Sequence, residues 1–331
     1  MYETLKLMDV EKLNFGGMGL PLQIVLGFVM FGVALGITGE HFKGVAKNPK
    51  IVLIGVFSQF FLLPAVTFLL TLAFNKVITP TVALGMILVA SCPGGNISNF
   101  ISSLAKANVA LSVTLTAIAT LAAIFMTPFN FALWGKLYLH FAPQEATAFL
   151  RDLQIDPIEM FKSVFILLGV PLALGMLFNY KFPMITDKII KPIKNISIII
   201  FMGLVVGMFA ANYAFFVRFI AYIFIVVFIH NLVALGTGFS LASAFKTDVP
   251  TRRSISVETG IQNSGLGLVL LTNPAIFPPD LQIGGMAFIA GWWGIWHIIA
   301  GLSIASIWAR IPYEDRFRWS YYKPAWLFRS K

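Results

Sequence analysis

The sequence predicts an all-α polytopic membrane protein, and three observations carry that prediction. Hydrophobic residues make up 58% of the chain and charged residues only 11%, whereas soluble domains carry about 25% charged residues. Apolar stretches close to the roughly 20 residues needed to cross hydrocarbon recur along the chain. Lys and Arg gather in alternate connecting segments, as they do on the cytoplasmic side of membrane proteins.

Nine spans are expected, at 20–38, 51–73, 81–104, 109–134, 160–180, 195–215, 219–244, 254–271 and 283–309. The first follows a mixed-charge segment, 1–19, and is too long for the core of a signal peptide, so the N-terminus is expected to be retained. The second follows Lys43, Lys47 and Lys50 and carries Gln59 five residues before Pro64. The third contains "SCPGGNISNF" and the fourth "ANVALSVTLTAIATL"; the fifth and sixth are apolar and flank the Lys-rich segment 181–194. The seventh holds His230 and Asn231, read as packing residues, and the eighth holds "ISVETGIQNSGLG". The ninth carries Trp296 and His297 and leads into a basic tail, 310–331. A single cysteine, Cys92, excludes an intrachain disulfide and leaves no CxxC metal site.

Charge sets the expected orientation. With the N-terminus outside, the segments 39–50, 105–108, 181–194, 245–253 and 310–331 become cytoplasmic, and they hold 17 of the 24 Lys and Arg residues. An odd number of spans then leaves the C-terminus cytoplasmic, in a cell membrane of the bacterial inner-membrane kind. The net charge of +10 reflects this bias. It is not a nucleic-acid footprint, because no basic run is interleaved with base-stacking aromatics on a soluble module.

Of the 14 acidic residues, only Glu258 lies well within a span. An ionisable group at that depth costs on the order of 2.5–3.5 kcal/mol on insertion scales and normally faces a protein interior or wet cavity where it binds something. The competing reading is a Glu snorkelling to the cytoplasmic edge near Arg253, but Gln262, Asn263 and Ser264 follow and need partners of their own.

The third span repeats the anomaly. Pro93, Gly94 and Gly95, followed by Asn96, Ser98 and Asn99, predict a helix broken in mid-membrane. Carbonyls freed there are tolerable only where they line a cavity or coordinate an ion. Spans three and eight run in opposite directions, and both are Gly-interrupted and polar at the middle. This is the pattern of an inverted-repeat secondary transporter with its site where the two broken helices cross. Spans one to four pair with spans six to nine, and span five is left without a partner.

The motifs "SCPGGNISN", "ANVALSVTLTAIATL", "ETGIQNSGLGLVLL" and the Trp-His pair at 296–297 resemble the bile acid:sodium symporter (BASS) family, over about residues 20 to 309. The chain is similar to nine-helix bacterial-type members. The resemblance implies a transporter domain over 20–309 with a core (spans two, three, four, seven, eight and nine) and a panel (spans one, five and six). It implies sodium-coupled uptake of an organic anion. It also implies two sodium sites, the first from Ser98, Asn99, Ser112, Thr116 and Glu258. The second comes from Gln59, Glu258 and Gln262 with the main-chain carbonyls of Thr259 and Ile261. Asn96, Asn263 and His297 are the implied substrate contacts, His297 being alternatively an interhelical hydrogen-bonding residue. The chain departs from a common family pattern at Asn96 and Ile298.

The chemistry agrees with these assignments independently, since sodium is a hard cation and hydroxyl, amide, carbonyl and carboxylate oxygens are hard ligands. Ser112 and Thr116 share a helix face by their spacing of four. Hydroxyls that merely bond back to the i−4 carbonyl are the competing reading, and for Gln59 it is an amide that repairs the backbone near Pro64. Two sodium ions against one carboxylate leave a net positive site that favours an anion. A proton-coupled carrier titrating Glu258 is the alternative. An enzyme is disfavoured, because no nucleophile–base pair or HExxH spacing occurs. The expected partners are sodium, a small organic anion such as a bile acid, pantoate or pyruvate, and the lipid bilayer. No sequence feature fixes the oligomeric state.

Overall fold

The computed structural model describes residues 1–9, 19–38, 48–95, 97–142, 156–277, 281 and 283–311. In chain order the helices are α1 (Tyr2–Lys6), α2 (Gly19–Ala34), α3 (Pro49–Ala73), α4 (Pro80–Ser91), α5 (Ser98–Leu104) and α6 (Val109–Phe141). There follow α7 (Pro157–Lys181), α8 (Pro183–Ala211), α9 (Tyr213–Ala244), α10 (Val249–Gly260), α11 (Ser264–Leu271) and α12 (Gly284–Arg310). Among the described residues, the one β-type feature is an isolated antiparallel pairing of Gly94 with Gln262. Six helices, α3, α6, α7, α8, α9 and α12, are long and apolar enough to cross a membrane, so the all-helical polytopic class holds.

Prolines explain where several of these helices begin. Pro49, Pro80, Pro157, Pro183 and Pro250 each stand in the first turn, where the missing N–H has no helical partner to lose and the fixed φ suits the helix. Pro64 and Pro171 act differently. Each follows a π-turn, Ser58–Leu62 in α3 and Phe165–Gly169 in α7, where Leu63 N–H donates to Ser58 O and Val170 N–H to Phe165 O. A proline ring clashes with the carbonyl four residues back, and the wider turn makes room for it.

The segment 181–194, expected as a connection, is helical: α8 starts at Pro183 and only Phe182 separates it from α7. Lysine is a good helix former, so charge that marks the membrane edge does not mark the end of a helix. Of the segment 1–19, residues 1–9 and Gly19 are described. Leu5 and Met8 are fully buried, and α1 and the following turn pack on α9 and α12. Asn96 and nearly all of the 310–331 tail lie outside the described residues.

Helix α2 packs on α7 and α8, and α3, α4, α5, α6, α9, α10, α11 and α12 pack on one another; α7 also packs on α6, and α2 on α11. The α4–α12 contact is made close by glycine: a Cβ at Gly85 would stand 2.8 Å from the Met286 Cα, and one at Gly285 would stand 2.8 Å from the Val82 nitrogen. Small residues of this kind let helix backbones approach where lipid gives no hydrophobic drive to associate. Residues Pro80–Ser91 of α4 are buried along their whole length, so the broken helix is the centre of this larger group.

Candidate functional site

Two interruptions meet at the middle of the larger group. Helix α4 ends at Ser91 and α5 starts at Ser98; α10 ends at Gly260 and α11 starts at Ser264. The two breaks lie antiparallel: Gly95 N–H donates to Ile261 O at 2.6 Å and Asn263 N–H to Pro93 O at 2.8 Å. The sequence reading required the freed carbonyls to face a cavity or an ion. The structure instead satisfies two of them across the breaks, at Pro93 and Ile261, which cancels much of the cost of interrupting two helices in a low-dielectric interior. A third freed carbonyl, that of Gly260, accepts the Asn231 amide at 2.7 Å. Asn231 is therefore a support for the break, and its neighbour His230 bonds Thr67 at 2.9 Å and packs edge-on against Trp293.

Glu258 lies in the last turn of α10 and is 2% exposed. Among the described residues it is the one buried acidic side chain. Its Oε2 accepts from Ser98 Oγ at 2.7 Å and Thr116 Oγ1 at 3.0 Å. Asn99 Oδ1 accepts from Ser112 Oγ at 2.9 Å and from Thr116 Oγ1 at 3.2 Å. The five residues assigned to a first sodium site, from three separate helices, thus form one connected group of oxygens.

That group has more oxygens than protons. Thr116 Oγ1 carries one proton, yet Glu258 Oε2, Asn99 Oδ1, Ser98 Oγ and its own helix's Ser112 O all lie within 3.2 Å. The back-bond to Ser112 O shows that the competing hydroxyl reading is also realised in the geometry. It does not exhaust the site, since Glu258 Oε1 is buried with no hydrogen-bond partner among the described residues. Gly94 makes this possible: a Cβ there would collide with that oxygen.

The residues assigned to a second site form an adjoining group. Gln59 Nε2 donates to Gln262 Oε1 at 2.8 Å and to Cys92 O at 2.9 Å, and Gln262 Nε2 donates to Thr259 O at 2.6 Å. The Gln59 amide does repair backbone, but that of the α4 break, not of its own helix. Its Oε1 is buried with no hydrogen-bond partner among the described residues. The π-turn of α3 explains the reach. It aims consecutive residues at the same neighbour, so Ser58 Oγ also bonds Thr259 Oγ1 at 2.8 Å.

Of the three substrate assignments, Asn263 caps α11, its Oδ1 accepting from Leu266 N at 3.2 Å. His297 is 7% exposed with an unpartnered Nδ1, and no hydrogen bond among the described residues joins it to the Glu258 group. Sequence reasoning missed Ser58 and Ser102, whose hydroxyl lies 3.1 Å from Ser112 Oγ. For Ser58, the available signal was its position beside Gln59, upstream of Pro64.

A polytopic helical protein with two facing broken helices and one buried carboxylate between them is of the class of membrane transport proteins. The sodium bile acid symporter family matches residues 23–219. An uncharacterized sodium-dependent transporter of Bacillus subtilis, YocS, is 32% identical over 289 residues, which is 87% of this chain and 83% of that one. A probable sodium/metabolite cotransporter of rice chloroplasts (Oryza sativa subsp. japonica), BASS2, is 29% identical over 278 residues, 81% of this chain and 62% of that one. The ileal sodium/bile acid cotransporter of Cricetulus griseus is 28% identical over 268 residues, 80% of this chain and 72% of that one. The chain belongs to the sodium bile acid symporter family, and so to the sodium-dependent membrane transporters and not to the enzymes.

Proposed function

We propose that the protein is a symporter that couples two sodium ions to the uptake of one small organic anion by alternating access. The observation that carries this reading is the oxygen cluster around Glu258, rich in acceptors and short of protons. A small hard cation satisfies such a set where further hydrogen bonds cannot. One sodium is held by Ser98, Asn99, Ser112, Thr116 and Glu258. The other is held by Gln59, Gln262 and Glu258 with the carbonyls of Thr259 and Ile261; the Ile261 carbonyl keeps a second lone pair beside its bond to Gly95. The C-terminal ends of α4 and α10 both point into the breaks, and their partial negative charge favours cations there.

The anion binds beside the breaks, next to the net positive charge of two ions and one carboxylate, with Asn96, Asn263 and His297 as its contacts. Bile acids, pantoate and pyruvate are of the right class, and relatives are named for bile acid and metabolite transport. Counting α2 and the two broken helices as spans gives nine, with an inverted repeat that the antiparallel breaks support. The packing of α2 on α7 and α8 supports a panel moving against a core made of the remaining spans. The Lys and Arg distribution supports an extracytoplasmic N-terminus and a cytoplasmic C-terminus, in a bacterial inner membrane.

One observation favours a second reading: a Glu258 Oε1 with no partner among the described residues also suits a carboxyl that takes up a proton. Proteoliposomes decide between the two. Uptake of labelled taurocholate, pantoate or pyruvate is expected to follow an inward sodium gradient at equal pH on both sides. Uptake driven by a pH gradient without sodium makes Glu258 a proton carrier instead.

A further inference from the structure

Arg253 is among the largest fully buried side chains of the protein, at 2% exposure, and lies five residues before Glu258 on α10. Its Nη1 donates to Ala105 O at 2.9 Å and its Nη2 to Ile311 O at 3.2 Å, and its guanidinium carbon stands 5.8 Å from the centre of the Trp308 ring. Ala105 is the C-terminal cap of α5 and Ile311 that of α12. One cation therefore binds the ends of two helices, each bearing about half a negative charge. Nearby, Ser254 Oγ donates to Asn108 O at 2.8 Å and Asn108 N–H to Pro250 O at 3.1 Å, so the link from α5 to α6 is fastened to α10 as well.

The opposite end of α5 is the oxygen cluster. Ser98, its first residue, donates to Glu258 at 2.7 Å. Helices α5 and α10 are thus pinned at two places: Ser98 to Glu258, and Ala105 to Arg253. At about 1.5 Å rise per residue the pins lie roughly 10 Å apart along α5 and about 7.5 Å apart along α10. One pin leaves a hinge; two set both the spacing and the angle of the helices. The Ser98 pin uses the ligands themselves, which must exchange protein contacts for ion contacts when sodium binds. The Arg253 pin is independent of that exchange.

We propose that Arg253 is a positioning residue for the first sodium site: by holding the C-terminal carbonyls of α5 and α12, it keeps Ser98 and Asn99 at ion-binding distance from Glu258. This rests on the sodium reading of that cluster. The guanidinium matters for its fork as well as its charge, because two carbonyls on separate helices need donors in two directions, and a lysine ammonium is a point charge on a flexible stem.

The test is sodium-dependent thermal stabilisation of the purified protein in detergent, titrated with sodium chloride against a potassium chloride control. The variants are R253K and R253Q. R253K is expected to raise the sodium dissociation constant about tenfold, as outer-shell changes do at metal sites, with R253Q weaker still. A merely structural arginine lowers the sodium-free Tm and leaves sodium affinity unchanged, and that result for R253K overturns the proposal. Recovery of neither variant in folded form overturns it too, since the residue then serves folding. Absence of sodium-specific stabilisation in the wild-type protein instead removes the sodium reading on which the proposal stands.

Discussion

The two oxygens of Glu258 are in different circumstances, and the difference predicts what substitutions do. Oε2 is held by Ser98 and Thr116, while Oε1 faces the Gly94 backbone with no donor among the described residues. Glu258→Gln keeps the size of the side chain and removes the charge that both proposed cation sites would share. It is expected to abolish sodium-driven uptake while the purified protein remains folded and monodisperse; sodium-dependent accumulation by the variant would sink the shared-carboxylate scheme. Ser112 and Thr116 offer a graded test. Replaced together by Ala and Val, they are expected to weaken sodium affinity by about tenfold or more, and substrate affinity at saturating sodium much less. An unchanged sodium titration would return both hydroxyls to ordinary bonding with their own helix. These residues were legible in the sequence because each is polar where its neighbours are apolar. Ser58 and Ser102 were not, because a lone hydroxyl in a membrane helix can always bond back to its own turn, and only the π-turn and the α5–α6 contact direct these two elsewhere.

At the scale of elements, the broken helices were readable from Pro93, Gly94 and Gly95 and from the polar run after Gly260. Their mutual pairing was not, since which carbonyl meets which N–H depends on how two distant segments are brought together. The connection from α9 to α10 shows the same limit. Lys246 has φ of 54° in a turn where Lys246 N–H donates to Ser243 O and Thr247 N–H to Ala242 O, a helix stop that normally takes glycine. A side chain in this left-handed conformation costs about 1–2 kcal/mol, part of which a glycine returns through the greater freedom of its unfolded chain. Lys246→Gly is therefore expected to raise thermal stability by up to about 1 kcal/mol, measured by unfolding in detergent. A lower Tm would show that the lysine makes a compensating contact. Prolines stand in the first turn at Pro49, Pro80, Pro157 and Pro183, whereas the lysines of 181–194 mark no helix end, because a basic residue at a membrane edge has no objection to being helical.

For the whole molecule, charge balance yields the remaining prediction. Two sodium ions entering with a monovalent anion carry one net positive charge inward per cycle, if Glu258 stays ionised throughout. Moving that charge is worth about 2.3 kcal/mol per 100 mV, so an inside-negative potential is expected to accelerate uptake and an inside-positive one to slow it. Proteoliposomes with a valinomycin-set potassium potential measure this directly. Uptake indifferent to potential would mean one sodium per anion or a dianionic substrate, and the group built on Gln59 and Gln262 would then lose its role as a second cation site.

The sequence alone determined the class of the protein and the residues at which two of its helices break. These follow from local quantities: apolar length against hydrocarbon thickness, proline and glycine chemistry, and the cost of a carboxylate with no water to solvate it. Tertiary structure alone decided that Pro93 and Ile261 are satisfied across the breaks, that one oxygen of Glu258 lies against Gly94 where a Cβ would collide, and that Arg253 binds the ends of α5 and α12. Each of these joins groups far apart in the chain whose distance no local rule fixes. Arg253 shows this most plainly: by sequence it is one more positive charge near the end of a span, and the convergence of two helix C-termini on it is visible only in three dimensions.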